Sequence, residues 1–258
     1  MWNLRPYYRR ALNFTNKGSM TMKNIALGLS TLAIVACAFA SSVRAETQVG
    51  DFTLSANTGL FSDYVFRGIS QSDEGPALQG GFDASHSSGL YAGVWGSNVD
   101  FNDDDEASVE LDFYAGFASE YQGFTYDLGV IYYAYPGADS DLDYDFWEVK
   151  AGLGYDFDVV AVDGSINYSP EFFGETGDAV YYAAGLSVPL PYDFSANAHA
   201  GYQTIDDGED YTDWSLGLGY TVAGFDLSLT YTDTDLDEPE ECADGCSDRI
   251  VFGVSKSF

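Results

Sequence analysis

After residue 51 the chain repeats with a period of two. Val109, Leu111, Phe113, Ala115 and Phe117 alternate with Ser108, Glu110, Asp112, Tyr114 and Gly116. Trp147, Val149, Ala151, Leu153 and Tyr155 alternate with Glu148, Lys150, Gly152 and Gly154, and Trp214, Leu216, Leu218 and Tyr220 with Ser215, Gly217 and Gly219. That period sends successive side chains to opposite faces of an extended strand, so the chain reads as all-β. Beyond Ala45 no apolar run approaches the ~20 residues of a membrane helix.

Twelve strands are expected: 51–69, 76–87, 89–99, 107–120, 124–135, 144–156, 160–170, 178–189, 193–204, 212–222, 225–234 and 249–258. Their connections alternate in kind. One set is tight, at Ser88-Gly89, Tyr121–Gly123, Phe157–Val159, Leu190–Tyr192 and Ala223-Gly224. The other is longer and acidic, over 70–75, 100–106, 136–143, 171–177, 205–211 and 235–248. An even strand count with short turns at one end and long loops at the other predicts a transmembrane antiparallel up-and-down β-barrel. In hydrocarbon every backbone N–H and C=O needs an internal partner, and a closed sheet supplies one. Aromatics flank the tight turns, Tyr121 with Phe124 and Tyr220 with Phe225 among them, where amphipathic rings suit a membrane interface. A soluble β-sandwich or lipocalin-like barrel would also alternate, but with a polar outer face. Here the more polar face is rich in Gly, Ser and Asp, as suits a wet lumen.

Residues 1–45 read as an export leader and 46–258 as the barrel. Lys23 precedes an apolar run from Ile25 to Ala40, and Val43-Arg44-Ala45 has the form of a signal-peptidase site. Translation could start at Met20 or Met22. Cys37 offers a rival lipoprotein reading. Six of the ten Lys and Arg lie in this leader, so all 41 acids share the rest with Arg67, Lys150, Arg249 and Lys256. A body so acidic repels phosphate backbones, which argues against nucleic-acid partners. After export Cys242 and Cys246 sit in an oxidising compartment; a small-loop disulfide is expected, with two unpaired thiols as the alternative.

One stretch carries a family resemblance: Ser62-Asp63-Tyr64-Val65-Phe66-Arg67-Gly68-Ile69-Ser70-Gln71-Ser72-Asp73, continuing through Pro76–Asp83 to Tyr91–Val99. With Asn167-Tyr168-Ser169-Pro170, Phe172-Phe173-Gly174 and the closing Val254–Phe258, the chain resembles the TorF family of proteobacterial porins over nearly all of 51–258. The resemblance implies an outer-membrane location and a pore-like role, and brings no binding residues. Barrels of this kind end in a Phe preceded by alternating apolar residues, which the barrel assembly machinery reads. Phe258, Val254, Phe252 and Ile250 fit, and Lys256 departs from the pattern.

Only two histidines exist, His86 and His199. A hydrolytic triad needs nucleophile, base and acid in reach of one another, and no enzyme is expected. Parity turns Asp83, Glu110, Asp112, Asp127, Glu148, Asp163 and Asp226 inward, with Lys150 and His199. Carboxylate rings in a narrow wet pore favour cations; alternatively, some acids pair with Lys150 or Arg67 in a filled barrel. Arg67, near the outer end, either pairs across the lumen to shape a constriction or anchors the first loop. No cofactor is expected. The acidic loops could take Ca²⁺, with Asp141-x-Asp143-x-Asp145 resembling a calcium-loop opening, although Phe146 replaces the turn glycine. Their plainer role is solubility. The expected function is passive diffusion of small hydrophilic solutes through the Gram-negative outer membrane, cation-preferring, with loops outside and termini in the periplasm. Outer-membrane lipid, lipopolysaccharide and the assembly machinery are the expected partners. The alternative is a structural or surface-interaction barrel with a plugged lumen.

Overall fold

The computed structural model describes residues 46–101 and 107–258. The expected leader, Cys37 and the acids at 103–106 lie outside the described residues. In chain order the strands are β1 (Thr47–Val49), β2 (Phe52–Phe61), β3 (Val65–Phe66), β4 (Ile69–Ser70), β5 (Ala77–His86), β6 (Leu90–Asn98), β7 (Val109–Tyr121) and β8 (Phe124–Ala134). They continue as β9 (Phe146–Asp156), β10 (Ala161–Ser169), β11 (Ala179–Leu190), β12 (Phe194–Ile205), β13 (Tyr211–Val222), β14 (Phe225–Thr234) and β15 (Arg249–Ser257).

β5 to β15 pair antiparallel in sequence order, and β2 closes the cylinder by pairing both β5 and β15. These twelve strands form a closed antiparallel barrel, the fold expected from the alternation. Most expected bounds lie within two residues of the observed ones. At the seam, Phe258 exchanges two backbone hydrogen bonds with Ala56, at 2.7 and 3.0 Å. β1 then continues along the same edge of β2, with Thr47 opposite Leu54; this short strand was not anticipated.

The tight turns suit a right-twisted hairpin. Gln122-Gly123 and Ala223-Gly224 both adopt positive φ at their two central residues, the pattern of type I′ turns. Leu78, Phe82, Phe113, Leu128, Leu153, Leu216 and Phe252 stand on the outer face and are exposed. In water such a belt would be an aggregation surface; against lipid tails it is the stable choice.

The first strand departs from expectation. The segment 51–69 does not run as one strand: β2 ends at Phe61, and residues 62–75 fold inward. β3 and β4 form a hairpin, Val65 opposite Ser70 and Phe66 opposite Ile69. Arg67 (φ 48°) and Gly68 (φ 86°) make its tip, another pair in the left-handed region. An inward hairpin needs buried polar partners for its arginine and for its backbone, and the barrel wall supplies them.

The interior is therefore packed at the long-loop end. Tyr64, Trp95, Val99, Tyr133, Tyr135 and Phe146 are buried there, with Phe66, Phe101, Phe172 and Phe173 against them. Tyr133 stacks on Phe146 and Tyr144 on Phe173, each with ring centroids 4.3 Å apart.

Candidate functional site in the barrel lumen

Arg67 is the hub. Only 2% exposed, it donates from Nη2 to both Glu148 oxygens at 2.7 and 2.8 Å, and from Nη1 to Gln203 Oε1 at 2.7 Å. Its guanidinium lies 4.2 Å from the Tyr181 ring centroid and 4.6 Å from that of Phe66. A planar, delocalised cation is the side chain that can meet a carboxylate fork and aromatic faces at once. Glu148 in turn accepts from Asn167 at 2.9 Å and Tyr133 at 3.2 Å, so its charge is well solvated inside the protein.

The base of the hairpin is tied as firmly. Asp63 accepts from Ser70 and Ser72 hydroxyls at 2.7 and 2.9 Å and pairs with Arg249 of β15 at 3.1 Å. Tyr64 donates to Glu110 on β7 at 3.0 Å. Gly68 fits because it lacks a side chain: a Cβ there would come within 2.3 Å of Thr234 Cγ2 and 2.9 Å of Asp213 Cβ. The hairpin thus reaches β7, β9, β12, β13, β14 and β15, spanning the cross-section.

Most of the inward acids are engaged. Asp127 pairs with Lys150 at 3.0 Å and accepts from Tyr91 at 2.7 Å. Tyr114 donates to Asp83. His199 Nε2 lies 3.0 Å from Asp213 and 2.8 Å from the Tyr181 hydroxyl, which itself donates to Asp213 at 2.8 Å. Asp226 accepts from Thr221 at 2.6 Å. The Asp163 carboxylate lies over Gly185, 2.6 Å from where a Cβ would stand. His86, in contrast, faces outward at the short-turn end, its ring 4.8 Å from that of Phe52; parity does not turn it away from the lipid face. Arg67 reaches Glu148 by an inward tip and not along a strand face.

Sequence reasoning did not single out Tyr64, Gln203, Asn167, Asp213 or Arg249. Gln203 and Asp213 share the parity of His199, and Asn167 that of Asp163, so the alternation held a usable signal for them. Arg249 has inward parity beside Ile250 and Phe252, while Tyr64 carried no such signal, since its role depends on the inward turn.

Beyond the strands, Cys242 and Cys246 form a disulfide with Cα atoms 6.5 Å apart. Glu238 beside them accepts from the Ser247 hydroxyl at 2.7 Å and from the Cys246 and Ser247 amides at 2.6 and 2.9 Å. These donors hold its carboxyl below the ordinary range. As a disulfide, neither sulfur offers a thiolate to a metal. Asp145 of the calcium-like triplet is committed elsewhere, bonding the Tyr135 amide and Tyr132 hydroxyl at 2.8 Å each.

A family model described as a bacterial protein of unknown function (Gcw_chp) matches residues 45–258. The chain belongs to this family. A search of curated proteins returns no match. Among solved structures the KdgM porin superposes with a TM-score of 0.55 at 10% identity, over 79% of this chain and 99% of that one. The NanC porin gives 0.53 at 10%, over 78% and 97%. A KdgM porin in complex with disordered oligogalacturonate gives 0.53 at 9%, over 80% and 98%. At such identities the likeness shows the fold, that of a porin-type barrel.

Proposed function

We propose that this chain is an outer-membrane channel for small hydrophilic solutes, with the hairpin 62–75 as its resident constriction. The observation that carries the reading is the sidedness of a closed cylinder: apolar belt outside, polar side chains inside. The topology supports long loops at the cell surface and both ends of the barrel in the periplasm, after removal of the leader 1–45 by signal peptidase. The acidic loops meet lipopolysaccharide, and the closing strand of alternating apolar residues is what the assembly machinery engages. The TorF resemblance points the same way. Channel neighbours and the lack of a competent triad around His199 favour transport over catalysis.

The lumen's bases are spent on acids, Arg67 on Glu148, Lys150 on Asp127 and Arg249 on Asp63. Asp163 and Asp226 have no cation in ion-pair range among the described residues. The residual field is negative, which favours cations and neutral solutes. Polyanionic cargo such as the oligogalacturonate of that KdgM structure does not suit it.

A second reading, a plugged structural barrel, draws on the hairpin and the buried aromatics beneath the long loops. Planar-bilayer recording separates the two. Stable openings in the native protein, with a reversal potential of cation sign under a KCl gradient, support the channel. Silence in both the native protein and Arg67→Ala leaves only the plugged barrel.

A further inference from the structure

Three carboxylates lie buried near the hairpin, Glu110, Asp112 and Glu148, each no more than 1% exposed. The one guanidinium among them is taken by Glu148 and Gln203. Glu110 and Asp112 have no ion pair among the described residues, although each faces inward from β7. Their carboxyls approach closely enough to interact directly.

Two tyrosine hydroxyls, of Tyr64 and Tyr135, lie within hydrogen-bond reach of Glu110, and neither serves Asp112. Tyr64 serves Glu110 Oε1, but Glu110 Oε2 and both Asp112 oxygens are buried without a hydrogen-bond partner. A third side chain shows the same deficit independently. Gln79 on β5 is 5% exposed, and its Oε1 also has no partner. It shares their level in the barrel: Gln79 stands opposite Ser97 of β6, and Ser97 opposite Glu110 of β7. Four unpartnered acceptor oxygens are thus carried by inward residues of β5 and β7, on either side of β6.

An uncompensated buried carboxylate costs several kcal/mol, and two side by side cost more. A bound cation removes the penalty with both carboxylates charged, whereas a proton shared between them removes it by neutralising one. We propose that Glu110, Asp112 and Gln79 form a binding site for one hard divalent cation of the calcium class, on the inner wall beside Tyr64. Two carboxylates neutralise a +2 ion in full, and an all-oxygen donor set suits a hard ion. Four protein oxygens fall short of the six to eight that Ca²⁺ takes, and water completes the shell. Glu110 is the second residue of β7, close to the loop rim, so the path for the ion is short. This site is separate from the acidic loops and stands whether or not the barrel conducts.

Trp95 makes the site testable, because its Cα pairs with that of Asp112 and its ring can sensitise a bound lanthanide. Refolded full-length protein in detergent is titrated with Tb³⁺, followed by Ca²⁺ competition and thermal unfolding with and without EDTA. The expected result is saturable sensitised emission displaced by Ca²⁺, and a Ca²⁺-dependent rise in unfolding temperature. Asp112→Asn, with folding checked by heat-modifiable gel mobility, weakens Tb³⁺ binding at least about tenfold and abolishes the Ca²⁺ effect on unfolding. Trp95→Phe loses most of the emission but keeps that effect. Equal Tb³⁺ affinity in native protein and Asp112→Asn assigns binding to the surface loops and overturns the proposal. So does indifference of the native protein to Ca²⁺ and EDTA, which leaves a proton shared between the two carboxyls.

Discussion

The two halves of the lumen solve one problem in opposite ways. A twelve-stranded barrel is too wide for its own wall side chains to fill and too narrow to ignore them. The long-loop half is filled by an imported hairpin, whose arginine is met by a fork of carboxylate oxygens and two aromatic faces. The short-turn half is lined by Gly, Ser and Asp, with Gly152, Gly154, Gly217 and Gly219 along β9 and β13, and holds the Tyr91–Asp127–Lys150 cluster. The filling of the long-loop half is shared between the fourteen inserted residues, 62–75, and the aromatic side chains of wall and loops packed against them.

The sharpest way to break this contrast is Arg67→Ala. It leaves Glu148 buried without its cation, a loss on the order of 3–5 kcal/mol for such pairs. Urea unfolding of the refolded barrel should show it, and bilayer conductance should rise as the tip lets go. Gly68→Ala comes next, because a methyl must enter the space of Thr234 and Asp213 at φ 86°. A loss of ~1–3 kcal/mol is expected in the same assay. If both variants matched the native protein, the hairpin would not be packed as described.

The opposite outcome is expected in the other half. At Gly152 the nearest atom to an added Cβ is 3.6 Å away, an ordinary contact, and its φ is not positive. Gly152→Ala should hold stability within about 0.5 kcal/mol or raise it slightly, through the unfolded chain. A large loss there would show that the short-turn half is packed too. The smallest effect belongs to Glu238, outside both halves. Its carboxyl titrates below the ordinary range when folded, so its contribution is present at neutral pH. That contribution is lost as pH falls below the unfolded value of about 4.3 and through the lowered one. Limited proteolysis of loop 235–248 should show this acid sensitivity in the native protein and not in Glu238→Gln.

How much of this was legible depends on the range of the interactions. Strands such as Phe124–Ala134 and Phe225–Thr234 are written in their own alternation, because lipid and lumen impose opposite demands on neighbouring residues. The hairpin was not, because Val65-Phe66 continues the pattern of β2 and reads as more strand. What turns it inward is a partner set from β9, β12 and β15: Glu148, Gln203 and Arg249. No local period encodes a contact between Arg67 and Gln203, separated by 136 positions. The Arg67-Gly68 pair carried a turn signal, since both central residues of a type I′ turn need positive φ and the glycine adopts it without strain. The site chemistry was half visible. Parity singled out the acids, but whether each meets a cation, a tyrosine or nothing is decided by register across strands.

The seam between β2 and β15 has a consequence for biogenesis. Phe258 meets Ala56 across 202 positions of chain, the longest reach of any contact described. A polypeptide threading out from its front end therefore carries one bare sheet margin until its last segment arrives. During that interval the margin invites promiscuous strand addition. Zipping up of that margin, β15 onto β2, is the committing event.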